Sequence, residues 1–114
     1  MVREIMPDAG DILWINLSPT KGHEQSGTRP VIVASFASFN RLSGLCTIVP
    51  MTHVQKGYIN EVVVNTKDAH GVALIDQVRT LDFKKRRCML RGKVSEDELA
   101  EIRAKLATLL GILE

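Results

Sequence analysis

Aromatic residues are scarce in this 114-residue chain: one Trp, one Tyr and three Phe, 4% of the total. Stacking on rings therefore has little to draw on, and selectivity for a ligand has to rest mainly on hydrogen bonds. Cysteine is also rare. Cys46 and Cys88 lack the CxxC spacing of a redox or zinc motif and read as small buried hydrophobes in a reducing compartment. The three histidines, at 23, 53 and 70, show no HxH or HExxH spacing, so neither a dedicated metal site nor a cofactor is expected. Apolar residues nowhere run long enough to span a bilayer. The opening MVREIMPDAGD carries acids and a proline where a signal peptide needs a continuous apolar segment, so no membrane partner and a cytoplasmic location are expected. Low-complexity tracts and fixed-period repeats are missing too.

What is present is ordinary globular composition, 45% hydrophobic and 25% charged, and a length that fits one domain over residues 1–114. The net charge of +2 hides an uneven distribution. Residues 1–83 hold seven basic and eight acidic side chains, KKRRCMLRGKV at 84–94 holds six basic and no acidic ones, and 95–114 holds two and five. Such a segment is a solvated turn or a surface for a nucleic-acid backbone.

Short segments rich in Val, Ile and Leu recur between turn residues, at 11–17, 29–35, 45–51, 60–65, 71–83 (broken in two) and 87–94. They predict a mainly β protein, a small and strongly bent sheet or barrel. The end of the chain changes period. Ser95 and Glu98 have capping-box spacing, and Leu99, Ile102, Leu106 and Leu109 recur on one helical face, so the class is α+β with a C-terminal helix on the sheet. Ile112 and Leu113 beyond Gly111 are left to cover either the sheet or a neighbouring subunit.

Ionisable chemistry gathers on PTKGHEQSGTRPVIVA, residues 19–34. Gly22, Ser26 and Gly27 let the backbone turn, while Pro30 holds Arg29 extended at a strand entrance. A guanidinium placed there suits a phosphate, since its planar fork donates two parallel hydrogen bonds; a brace to Glu24 or Asp76 is the equal alternative. VPMTH at 49–53 sets Thr52 and His53 just after a proline-containing strand, and IDQVRT at 75–80 sets Asp76, Gln77 and Arg79 on or beside another. Strand ends of a small barrel are where such distant groups converge.

The segments GDILWINLSPTKGHEQSGTRPVIV, FN at 39–40, VPMT at 49–52, KGY at 56–58 and GVALIDQVRTLD at 71–82 together resemble the MazF/PemK (Kid) family of toxin endoribonucleases, the mRNA interferases of toxin–antitoxin pairs. The resemblance runs nearly end to end, and its most specific piece is the G-[SH]-E-Q-x-G-x-R-P loop. It implies an SH3-like barrel of the type shared with CcdB, with a C-terminal helix, acting as a homodimer. It also implies metal-independent, sequence-selective cleavage of single-stranded RNA. Inhibition would come from a cognate antitoxin with an acidic flexible tail, DNA being reached only through that antitoxin. By position, Arg29 and Thr52 match the catalytic pair of the family, and His23 and Asp76 match residues with roles in the PemK branch. That branch has arginine where this chain has Leu74, which gives more weight to a scheme centred on Arg29, Thr52 and Glu24.

The chemistry also follows from the substrate. RNA carries its own nucleophile, the 2′-hydroxyl, so a protein need only orient it, remove its proton and stabilise charge on the phosphoryl oxygens. Arg29 and Thr52 suit the last task, Glu24 the proton removal and His23 the protonation of the leaving 5′-oxygen, with the last two roles exchangeable. Gln77 and Asn40 offer paired donors and acceptors for base edges. Lys56, Arg79 and the basic Lys84, Lys85 and Arg86 are placed for phosphates; Trp14 and Phe36 are stacking candidates that equally suit the core. A gyrase-poisoning toxin of the same fold and a barrel that binds RNA without cutting it are the alternatives.

Overall fold

The computed structural model describes residues 5–18, 22 and 27–112. Three strands form the centre of an antiparallel sheet: β1 (Asp11–Asn16), β2 (Thr28–Val33) and β3 (Cys46–Thr52). Side chains alternate across a strand, and here both faces are buried, which is why these strands read as nearly continuous apolar runs. Ile12, Ile32, Val49 and Met51 enter one core with Val62, Val64, Ala73, Ile75 and Ile102. Leu13, Ile15, Val31, Val33 and Ile48 enter the other with Leu17, Cys46, Leu81 and Phe83. Each fully buried aliphatic side chain contributes about 1.5–3 kcal/mol, so these two clusters carry most of the stability.

One sheet covers both of its own faces because β3 changes partner along its length. Its first half pairs with β6 (Arg79–Leu81), and its end, Met51 and Thr52, pairs with β5 (His70–Leu74), which continues to β4 (Glu61–Asn65). The strand order is β4-β5-β3-β2-β1-β7, with β6 on β3 and with β7 spanning Cys88–Lys93. Since β4 and β7 end this order without pairing to each other, the expected barrel is a strongly bent, open antiparallel sheet. The expected break in 71–83 is a single 3-10 turn at Ile75–Gln77.

The C-terminal helix α2 (Glu96–Leu109) begins at the expected box. Glu98 N–H donates to the Ser95 hydroxyl at 3.1 Å, and Ser95 N–H donates to Glu98 Oε1 at 2.9 Å. Glu98 Oε2 also accepts from Asn65 N–H at 2.8 Å, which joins the helix start to the end of β4. Burial pushes the Glu98 carboxyl up, but these N–H bonds outweigh it and hold the carboxyl below its ordinary value. The apolar stripe docks only in part. Ile102 is fully buried and Leu99 and Leu106 half-buried, whereas Leu109, Leu110 and Ile112 are exposed. No helix among the described residues is long and apolar enough to cross a membrane.

A second helix, α1 (Ala37–Ser43), was not expected from the pattern. Its seven residues include Ser38, Asn40 and Ser43, which are neutral or poor helix formers. Tertiary contacts hold it instead. Ala37 N–H donates to Asp8 Oδ1 at 2.9 Å, and the Asn40 amide donates to Pro7 O at 2.7 Å and Ser35 O at 3.1 Å. The Ala37 bond holds the Asp8 carboxyl below its ordinary value, partial burial opposing it and the Ala9 N–H assisting.

Candidate functional site

Arg29 is the second residue of β2 and Thr52 the last of β3. The β2–β3 register pairs Val31 with Pro50 and Ile32 with Val49; continued by two residues it sets Arg29 opposite Thr52. Both are half-buried and line one cleft of about 110 Å³, with Trp14, Thr28, Pro30, Met51, His53 and His70. The volume is of the order that a phosphoryl group and its water neighbours occupy. Thr52 Oγ1 accepts from Val54 N–H at 3.2 Å, which fixes the side chain and leaves the hydroxyl hydrogen to donate. Guanidinium and hydroxyl donors from two strands thus line one cleft, whose lining among the described residues holds no carboxylate, an arrangement suited to an oxyanion.

A wide groove of about 950 Å³ adjoins the cleft and shares Trp14 and Thr28 with it. Ile5, Met6, Phe83 and Met89 give it an apolar lining, and Lys84, Arg86 and Arg87 place three of the six clustered charges along it. Those cations are not alike. Arg86 Nη1 donates to Asn16 O at 2.7 Å and Ser18 O at 3.1 Å, so it braces the end of β1. Lys84 and Lys85 are exposed, and their backbone N–H groups cap onto Asp82 Oδ1 at 3.0 and 3.2 Å. Cys88 lines the groove too, with its thiol pushed up by burial despite the nearby Arg86; Cys46, more deeply buried, is pushed up to about 12. Neither thiol is a nucleophile at neutral pH.

The structure gathers some of the expected residues and separates others. Asn40 is corrected from a base-reading role: it is fully buried, its amide donating to Pro7 O and Ser35 O and accepting from the Ser35 hydroxyl. Asp76 is the exposed residue of the 3-10 turn, outside the residues that line the cleft, and accepts from Asn60 Nδ2 at 2.6 Å. Gln77 follows it, half-buried, and Arg79 Nη1 donates to Leu17 O at 3.2 Å. Lys56 is exposed, its ammonium 5.8 Å from the Tyr58 ring, on a loop anchored where Glu61 accepts from the Lys56 and Gly57 N–H groups. Phe36 is 52% exposed, but the Arg103 guanidinium covers its ring at 4.5 Å. His23 and Glu24 lie outside the described residues.

Of the cleft residues, His70 carries no signal in the sequence, while Trp14 and His53 stand in segments that the sequence marks. Trp14, which equally suits the core, is half-buried between cleft and groove, with the Arg91 guanidinium 5.4 Å from its ring. His53 follows Thr52 directly in the chain, whereas His70, which carries no motif spacing, is brought beside Thr52 by the pairing of β3 with β5.

Comparison with known proteins gives the chain a family. A family model described as the PemK-like, MazF-like toxin of type II toxin-antitoxin systems matches residues 8–110. The endoribonuclease toxin MazF of Escherichia coli K12 is 42% identical over 111 residues, covering 97% of this chain and all of that protein. Endoribonuclease PemK of E. coli is 36% identical, covering 90% and 81%. The crystal structure of MazF from Deinococcus radiodurans superposes with a TM-score of 0.89 at 42% identity, covering 95% of this chain and 99% of that one. A MazE–MazF complex from the same organism superposes at 0.82 with 36% identity, covering 96% and 100%. With most of its length matched by that model and by relatives above 30% identity, the chain belongs to the PemK-like, MazF-like toxins of type II toxin–antitoxin systems.

Proposed function

We propose that the cleft of Arg29 and Thr52 is the catalytic centre of this endoribonuclease toxin, and that it cleaves single-stranded mRNA in the cytoplasm by attack of the ribose 2′-hydroxyl on the adjacent phosphate. The observation that carries this reading is the convergence of a guanidinium and a hydroxyl from two strands in one phosphate-sized cleft. As the phosphorane forms, charge grows on the non-bridging oxygens. Arg29 neutralises it with two parallel N–H bonds, and the Thr52 hydroxyl, held by Val54, donates a further one. Glu24 takes the 2′-proton. Because the guanidinium supplies the charge stabilisation, the reaction proceeds without a metal ion.

The adjoining groove accounts for binding. Its cations hold flanking phosphates, and Lys56, Arg79 and Gln77 are further groups for phosphates and a base edge. The same groove, apolar inside and basic outside, suits the acidic flexible tail of a cognate antitoxin, in keeping with the MazE–MazF complexes among the related structures. The working unit is a homodimer.

A long transcript incubated with the protein in excess chelator should be cut to fragments ending in a 2′,3′-cyclic phosphate and a 5′-hydroxyl. A substrate with one deoxynucleotide immediately 5′ of the scissile bond should bind nearly as well and stay intact, because only the attacking group is gone. Cleavage of that substrate at the normal rate, or loss of activity in chelator, makes water or a metal the agent. An intact ordinary transcript returns the chain to the gyrase-poisoning or RNA-binding reading.

A further inference from the structure

His70 is the first residue of β5, is exposed, and lines the cleft that holds Arg29 and Thr52. Two neighbours put it there. Gly71 has φ +146° and lies so close to β3 that a Cβ would land on the Thr52 carbonyl oxygen; without one, β5 seats against the end of β3 and carries its first residue to the cleft. Asn65 stands directly opposite His70 in the β4–β5 ladder, and its Oδ1 is 2.6 Å from His70 Nδ1. A carbonyl oxygen only accepts, so Nδ1 carries the hydrogen, the ring is held, and Nε2 is the atom left for proton exchange. Glu98 accepts from the Asn65 backbone N–H and ties this pair to the start of α2. His53 shares the cleft, but among the described residues nothing bonds its ring.

We propose that His70, positioned by Asn65, is the general acid of the reaction, in place of His23. The proposal rests on the cleft being the catalytic centre. In the step, the 2′-oxygen forms its bond to phosphorus and passes its proton to the Glu24 carboxylate. The bond from phosphorus to the 5′-oxygen breaks, and that oxygen takes the proton of the His70 imidazolium at Nε2. Solvent then returns a proton to His70 and removes one from Glu24. Among the described residues, the charged or titratable side chains on the elements around the ring include Arg29 of β2, His53 beyond β3, Glu61 of β4, Lys67 and Asp68 of the β4–β5 turn, Arg91 of β7 over Trp14, and Glu98 of α2.

The test compares ordinary RNA with RNA whose scissile 5′-oxygen is replaced by sulfur, since a thiolate leaves without being protonated. His70→Gln should lower kcat about a hundredfold on ordinary RNA and less than about tenfold on the sulfur substrate. It should also lose the alkaline limb of the wild-type pH profile, where activity falls as the acid deprotonates. The side chain is exposed, so its replacement removes no core packing, and recovery on sulfur itself reports a folded enzyme. Equal loss on both substrates, full activity on ordinary RNA, or an unmoved alkaline limb overturns the assignment. So does recovery on sulfur by His23→Gln and not by His70→Gln. If Arg29→Ala cuts both substrates as fast as wild type, the cleft itself is not the catalytic centre and both readings fall together.

Discussion

The cleft of Arg29 and Thr52 and the basic groove share Trp14 and Thr28 yet are built in opposite ways. The cleft, about 110 Å³, is set on the strands β2 and β3, whose register places Arg29 against Thr52. The groove, about 950 Å³, runs along β7 at the end of the strand order and the turn before it, where Lys84 and Lys85 are exposed and Met89 is 58% exposed. Transition-state stabilisation needs donors held to fractions of an ångström, which a paired central strand supplies. Phosphate binding along a chain needs only charge at the right spacing, which an edge and a turn supply at lower cost in order. Substitutions in the two regions should therefore fail differently.

The largest effect is expected in the cleft. Arg29→Ala and Thr52→Ala should each lower kcat about a hundredfold or more, with RNA affinity and melting temperature little changed, in single-turnover cleavage beside thermal unfolding. A variant that keeps full cleavage leaves the catalytic site. Gly71→Ala comes next. Its methyl meets the Thr52 backbone and its φ of +146° is unfavourable for Ala, so stability should fall by about 1–3 kcal/mol and kcat about tenfold through the displaced Thr52. A loss seen in KM alone would show that β5 does not position Thr52.

Replacing Lys84, Lys85 and Arg87 together with Gln should leave the cut position and kcat at saturation alone, weaken binding, and flatten the dependence of log K on log salt by about 2. Arg86 is spared in this variant because its bonds to Asn16 and Ser18 are structural. If the salt slope is unchanged, the cluster is a solvated turn. The smallest effect concerns the tie between helix and cleft wall. The folded-state pKa of Glu98 is lowered from 4.5, so its contribution to stability is complete above 4.5 and is lost as the pH falls through the lower folded value. Glu98→Gln should be less stable than wild type at neutral pH, with the gap narrowing below pH 4.5 in acid titrations followed by circular dichroism. A constant gap would assign its effect to the neutral hydrogen bonds alone.

Much of the fold is legible along the chain. The strand positions follow from apolar runs, the break in 71–83 from IDQ, and the start of α2 from Ser95 and Glu98, because each signal acts within a few residues. Helix α1 is not legible, since its stability comes from Asp8 and Pro7, some 30 residues away in contacts no local pattern records. Asn40 illustrates the same limit for function. An amide offers the same donors and acceptors to a base as to a buried carbonyl, and only its burial decides which it serves. Arg86 sits in a basic run that looks uniform, yet its guanidinium is committed to the backbone of β1.

The sequence by itself determined the class of structure, the helix cap and the concentration of positive charge at 84–94, while the pairing of Arg29 with Thr52 came from the family resemblance. The first three rest on periodicity, short-range hydrogen bonding and residue type, which are properties of neighbouring positions. Only the tertiary structure decided that His70 and Trp14 stand in the same cleft, that the cleft opens into the basic groove, and that the apolar stripe of α2 leaves the sheet after Leu106. Those outcomes depend on strand register and on β3 changing partner from β6 to β5, a choice made by the packing of two cores between residues distant in the chain.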